Sequence, residues 1–437
     1  MTRRCAIALV GVGIGLLAWG CVPPPPCGLH RCDIRQAACQ SLVAANTSCL
    51  REEPLLQVPV TVVSREDYVN QQIAQTMTPQ NDQSFEAWNT GLALLGLSRR
   101  DATSADTAST SAGNVAAFYS PKDKSITIVD GGQGFDSRIA VSTLAHEYTH
   151  ALQDAAVGFE ALSMASATDL DHSLAAYAVT EGEATVIQDL VEIGLFGDDA
   201  NDIPWTRVFT GWEAETRRNS AASPFPVTLA WMYFHYPFGT PFVHAALAAG
   251  GWQVVDRLRV SPPTGTREVI AGFGAVEASG GPWAEDLGAD AVPALAEPFQ
   301  YLDADRMGAW ILEQFAARLT PRPTAPIGDL RGDALSMFRD QITGGVLAVW
   351  RLRFPSAESA ALLIKILADS TPAGPSDVAI RSLQLDRDVL VIAAQNADLL
   401  AAVPEQLTFG PVPPRPSQPA MQAAWTRIWG CSVRPTD

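Results

Sequence analysis

Positive charge is what this sequence has least of. In 437 residues, 30 Lys and Arg stand against 47 Asp and Glu, a net charge of −17. A nucleic-acid binder needs a basic footprint to displace the counterions of the phosphates, so that class is excluded and no nucleic-acid partner is expected. No internal repeat of solenoid or propeller length is present. Long unbroken apolar runs are missing from the body of the chain. Residues 226–255 carry no Asp, Glu, Lys or Arg, but Pro237, Gly239 and Pro241 cut them into pieces too short to span a bilayer. They read instead as two buried helices joined by a turn at residues 236–241. Cysteine is nearly confined to one end: five of the seven lie within residues 1–39, the sixth is Cys49 and the last is Cys431. An apolar fraction of 47% excludes wholesale disorder, and the length suits two or three domains of about 150 residues.

The amino terminus reads as an address. Arg3 and Arg4 precede an uncharged apolar run from Cys5 to Gly20, the pattern of a secretory signal. The run closes on Leu17-Ala18-Trp19-Gly20-Cys21, followed by four prolines at positions 23–26. It resembles a bacterial lipoprotein signal, in which a small residue precedes the cysteine that carries lipid. That resemblance implies export to the cell envelope and a membrane anchor on Cys21, with the prolines as a stiff tether. An oxidising compartment favours disulfides. With Cys21 lipidated, five cysteines remain and one is odd; without lipid, six allow three bridges. A bridge from Cys431 to the 27–49 cluster would tie the chain ends together. The other use of that cluster is a zinc site from Cys27, His30, Cys32 and Cys39.

Patterning along the chain predicts a helical Cys-rich segment, an extended stretch at 56–64 and helices at 65–76 and 86–96. A polar loop follows at 101–114. Strands are predicted at 115–119 and 125–130, paired about a turn at 121–124, then helices at 137–153 and 169–195. The second of these helices would be capped by Asp169 or Asp171 and stopped by Gly197. Beyond an irregular stretch at 272–297, the order helix-strand-strand-helix-strand-strand over 305–394 suggests a two-layer sandwich with helices on one face of an antiparallel sheet.

His146-Glu147-Tyr148-Thr149-His150 carries the chemistry. Positions i and i+4 are about 400° apart on a helix, so both imidazoles leave one face and can grip one Zn²⁺. Glu147 then sits beside the ion as a general base for a water that attacks a carbonyl. A third ligand is expected on the next helix, at Thr180-Glu181-Gly182-Glu183-Ala184. Glu181 and Glu183 are about 200° apart, so only one can face the metal, and periodicity does not choose between them. Gly182 costs about 1 kcal/mol in a helix interior, which points to a backbone approaching closely there.

HExxH followed a helix later by Glu-Gly-x-Ala resembles the gluzincin zinc metallopeptidases, in which the first Glu of the second motif binds zinc; that implies Glu181. The segment Leu144 to Asp154, the Ala117-Phe118-Tyr119 strand and the stretch from Tyr236 to Pro263 are also similar to a group of exported bacterial proteins of poorly defined function. That group often carries a His-Pro pair after its paired prolines, and residues 266–272 here hold no His. The resemblance implies an α+β fold: a zincin-like metallopeptidase domain with a small α/β two-layer sandwich at the C-terminus. The expected division is signal 1–20, tether and Cys-rich segment 21–53, peptidase domain 54–275 and C-terminal domain 276–437. His146, His150 and Glu181 would bind zinc, Glu147 would act as base, and Tyr236, ahead of Tyr233 and His235, would donate to the oxyanion. Asp154 and Asp171 are candidates to hold the free imidazole nitrogens. The 125–130 strand would be the edge on which a peptide or protein substrate adds. His30, His172 and His244 are expected not to be ligands of the site. The second reading keeps zinc and fold but makes the protein a weakly active or inactive binding scaffold.

Overall fold

The computed structural model describes residues 27–76, 79–103, 106, 115–132, 134–159, 169–279, 283–288, 291–320, 327–369, 378–412 and 431–432. The signal, Cys21, the proline tether and most of the 101–114 loop lie outside the described residues.

The Cys-rich segment forms helix α1 (Ala37–Arg51), closed by disulfides Cys27–Cys49 and Cys32–Cys39. All four cysteines pair among themselves. This corrects two expectations: Cys431 has no partner left in the cluster, and no thiolates remain there for zinc. The far end still returns, because β11 (Cys431–Ser432) pairs through its backbone with β2 (Val115–Ser120). β3 (Ser125–Asp130) lies antiparallel to β2 as expected, but its other side is taken by β1 (Val60–Ser64) in parallel register. The sheet order is β1-β3-β2-β11. The edge-strand expectation for 125–130 is therefore wrong, since that strand has both ladders filled. Alternation could not show this, because a partner 66 residues upstream leaves no mark on β3 itself. Helices α2 (Arg65–Thr76) and α3 (Pro79–Leu94) follow β1.

Two helices make the centre. In α4 (Arg138–Val157) the Ser137 hydroxyl caps the Ala140 amide, and every residue from Leu144 to Asp154 is buried. In α5 (Leu170–Phe196) Asp169, not Asp171, caps the N-terminus, and Gly197 closes the helix in the left-handed region at φ 80°. α5 lies between two apolar cores. Leu174, Ala178 and Val179 face a large cluster shared with the C-terminal half, and Ile187 and Val191 face a smaller one shared with α1, α4 and the first sheet.

After α6 (Trp205–Ala222), α7 (Pro226–Tyr233) is not separated from the next helix by the turn expected at 236–241. It runs through a π-turn (His235–Gly239) into α8 (Thr240–Gly250). Pro237 and Pro241 have no N–H to give and crowd the preceding carbonyls, and a widened turn accommodates both without breaking the helix. Helices α9 (Trp252–Val260), α10 (Thr266–Ala271) and α11 (Phe273–Ser279) lead towards the second sheet.

Two short strands, β4 (Val292–Pro293) and β10 (Phe409–Gly410), pair with each other. The second sheet matches the predicted order with one strand added in front. β5 (Phe299–Asp305) precedes α12 (Gly308–Leu319), β6 (Gly332–Asp340), β7 (Val346–Arg353), α13 (Ala357–Asp369), β8 (Ala379–Leu385) and β9 (Asp388–Ala394). The order is β5-β6-β7-β9-β8, antiparallel throughout. Its period-two alternation feeds two cores. Leu335, Met337, Trp350 and Val391 face the helices, while Phe338, Val349 and Ile392 face Leu399 and Val403. The second face is thus covered as well, a layer beyond the two-layer expectation. The large core crosses residue 275, joining Val179 and Phe238 to Trp310 and Trp350. No helix among the described residues is long and apolar enough to cross a membrane.

Candidate metal centre

His146 and His150 leave the same face of α4, with ring centroids 4.8 Å apart. Glu181 on α5 faces them. Its Oε2 is 3.1 Å from His146 Nε2, and its Oε1 is 3.5 Å from His150 Nε2. One ligand atom from each residue lies within 4.8 Å of the other two, and all three residues are buried; among the described residues no other His, Cys, Asp and Glu group is so arranged. This group can hold a metal ion. Without one, the charges lean on each other. Burial disfavours imidazolium at His150, but Glu181, and more weakly Glu147, outweigh it and raise the group to about 9. Burial pushes Glu181 up, yet the two imidazoles hold it well below the usual carboxylate range. A divalent cation would take over the role of that positive charge.

Glu183 settles the question that spacing left open. It points away from the imidazoles into an ion cluster, taking the Arg51 Nε at 2.5 Å, the Arg259 Nε at 2.7 Å and a second Arg259 nitrogen. Burial would raise it, but Arg259 and Arg51 keep its carboxyl below the ordinary range. Arg259 also reaches Glu53 at 2.6 Å. Arginines at positions 51 and 259 cannot be connected to residue 183 by any local pattern.

Neither Asp154 nor Asp171 holds an imidazole, contrary to expectation. Asp154 accepts from the Tyr119 hydroxyl at 2.7 Å and from Lys124 at 2.5 Å. Asp171 accepts from the Thr266 amide and hydroxyl at 2.7 and 2.6 Å, about 15 Å along the helix from Glu181. Two glutamines take the place instead. His146 Nδ1 is 3.0 Å from Gln188 Oε1, and His150 Nδ1 is 2.8 Å from Gln153 Oε1. Both had a sequence signal: Gln153 is three residues after His150, and Gln188 is two turns after Glu181 on the same face.

Tyr236 is brought to the site by the π-turn, its ring 6.4 Å from that of His146 and 5.0 Å from that of His235. Burial holds His235 neutral, down to about 4. Tyr233 packs against the large core. Phe159 closes the other side, 5.8 Å from the His150 ring. Glu147, one position after His146 on α4, is fully buried, and its charge acts on His150. His30 is exposed, His172 has its backbone amide in the Asp169 cap, and His244 packs on Trp205 and Phe209; none joins the cluster. Comparison with family models, curated proteins and solved structures finds no match for this chain.

Proposed function

We propose that this chain is a gluzincin-type zinc metallopeptidase of the bacterial cell envelope, held to the membrane by lipid on Cys21 and acting on peptides or proteins. The observation that carries the reading is the buried His146, His150 and Glu181 group, with Glu147 fully buried one position along the helix from His146. The donor set fits zinc: two imidazole nitrogens and one carboxylate leave a fourth position open, the composition of catalytic rather than structural sites. The two disulfides support an oxidising compartment. Bound zinc supplies a Lewis acid that polarises a carbonyl and brings the acidity of water near neutrality. His146, His150 and Glu181 would hold the ion, and Gln188 and Gln153 would keep both rings turned towards it. Glu147 takes the proton of the attacking water and delivers it to the leaving amine. Tyr236 donates to the oxyanion that forms on the scissile carbonyl.

The scaffold reading has one observation in its favour. β3, the strand expected to receive a peptide, is paired on both sides. One comparison decides between them: zinc content and peptide-library cleavage by the mature chain, native against Glu147→Ala. The peptidase reading expects zinc in both proteins and cleavage in the native one alone. Zinc with no cleavage in either leaves the scaffold. A native protein without zinc refutes both.

A further inference from the structure

We infer that Gln153 is a positioning residue for the metal centre, and that Glu183 and its two arginines orient it. The inference rests on the zinc reading above and concerns what fixes His150.

The amide of Gln153 has its direction dictated by what surrounds it. Its Nε2 donates to the Thr180 carbonyl at 2.9 Å and to Glu183 Oε2 at 3.0 Å. Both partners are pure acceptors, so the amide nitrogen must face them and Oε1 must face His150 Nδ1, 2.8 Å away. An amide oxygen accepts only. His150 therefore keeps a proton on Nδ1, and in the neutral ring that ligates a metal the Nε2 lone pair faces the side where Glu181 lies. Gln153 is 1% exposed and Glu183 fully buried, so water does not compete for these bonds. Glu183 in turn is locked by Arg259 and by Arg51, whose guanidinium stacks 4.4 Å over the Trp252 ring. Arg51 is the last residue of α1, two positions after the Cys49 disulfide. The relay thus runs from the cystine-braced segment to a ligand of the metal. It also explains why the carboxylate stands one residue back from the imidazole. A neutral amide orients His150 without adding another negative charge beside Glu147 and Glu181, and two arginines balance the displaced carboxylate.

Two measurements test this on the mature chain. Zinc affinity is read by chelator competition for the native protein and Gln153→Met, which keeps the length of the side chain and removes the amide. The cobalt(II)-loaded proteins are then read by proton NMR for solvent-exchangeable imidazole N–H signals. The native protein should show two slowly exchanging N–H signals, from His146 and His150. Gln153→Met should bind zinc about 10–100-fold more weakly and lose slow exchange at one of the two. Glu183→Gln should shift affinity the same way and to a smaller extent. Zinc bound to Gln153→Met with native affinity and two slow N–H signals overturns the inference. If the variant does not fold, the native signals decide alone: a His150 N–H exchanging as fast as an exposed imidazole also overturns it. Failure of the underlying reading is distinct, since it appears as native protein that binds no stoichiometric zinc.

Discussion

Glu181 and Glu183 sit two residues apart on one helix and meet opposite environments, imidazoles on one side and arginines on the other. Local sequence shows that the two must diverge, because helix geometry separates them by about 200°. It does not show which way, because the deciding arginines are 132 and 76 residues distant. The HExxH histidines were legible for the opposite reason, since both lie within one turn of one helix. Asp171 has a similar non-local fate. It is buried against Thr266, Gly265 and Gly308, near Arg306 and the carboxylates of Asp169 and Asp333. Burial dominates and lifts its carboxyl to about 7, with the neighbouring acids adding to the rise and Arg306 and Thr266 opposing it. The folded state therefore binds more protons than the unfolded chain between the ordinary carboxylate range and pH about 7. The stability this group contributes is full in acid and is lost as pH rises towards neutrality, by at most about 1.4 kcal/mol per pH unit. Asp171→Asn removes that titration. The native protein should lose stability relative to the variant between pH 4 and 7 in urea titrations; a difference independent of pH would refute the assignment.

At the scale of elements, periodicity and caps recover most helices and strands, because burial imposes a period that each segment shows by itself. Sheet order is less legible. β1 pairs in parallel with β3 and β11 returns from the far terminus, and neither pairing leaves a local trace. β5 escaped because Asp303 and Asp305 and a mostly half-exposed face mask its alternation. One element-level reading succeeded from a single residue. The cost of Gly182 pointed to a close backbone, and that backbone is Gly239 of the π-turn, whose carbonyl occupies the space of a Cβ on residue 182. The contact is mutual, since a Cβ on Gly239 would strike the Ala178 carbonyl. The crossing seats Tyr236 against the metal centre. Gly182→Ala should gain about 1 kcal/mol of helix propensity and still destabilise the protein by about 1–3 kcal/mol, because the two helical segments must separate. Urea denaturation of the single variant checks this, and a neutral or stabilising result would mean the approach is loose.

Over the whole molecule, the irregular stretch at 272–297 and the extent of the resemblance suggest separate domains with a boundary near residue 275, whereas the apolar packing runs through it. Trp310 is fully buried, packs 4.8 Å from Phe238 of the π-turn and donates its indole N–H to the Ala230 carbonyl at 2.8 Å. The Trp310 amide donates to the Thr266 hydroxyl oxygen, and that hydroxyl donates to Asp171 on α5. Asp333 caps α12 through the Met307 and Gly308 amides and holds the Trp350 indole. The second sheet and the helices that carry the candidate metal ligands therefore share one core and one polar junction, and neither half can open without exposing aromatic surface of the other. Interfaces between domains that move are more polar than this. Calorimetry of the mature chain should accordingly give a single transition with calorimetric and van't Hoff enthalpies in agreement. Saturating zinc should raise that one transition as a whole, because a ligand bound to the native state stabilises every part that unfolds with it. Two resolved transitions, with only one responding to zinc, would show that the sheet and the metal centre fold apart and that the shared core contributes little to their coupling.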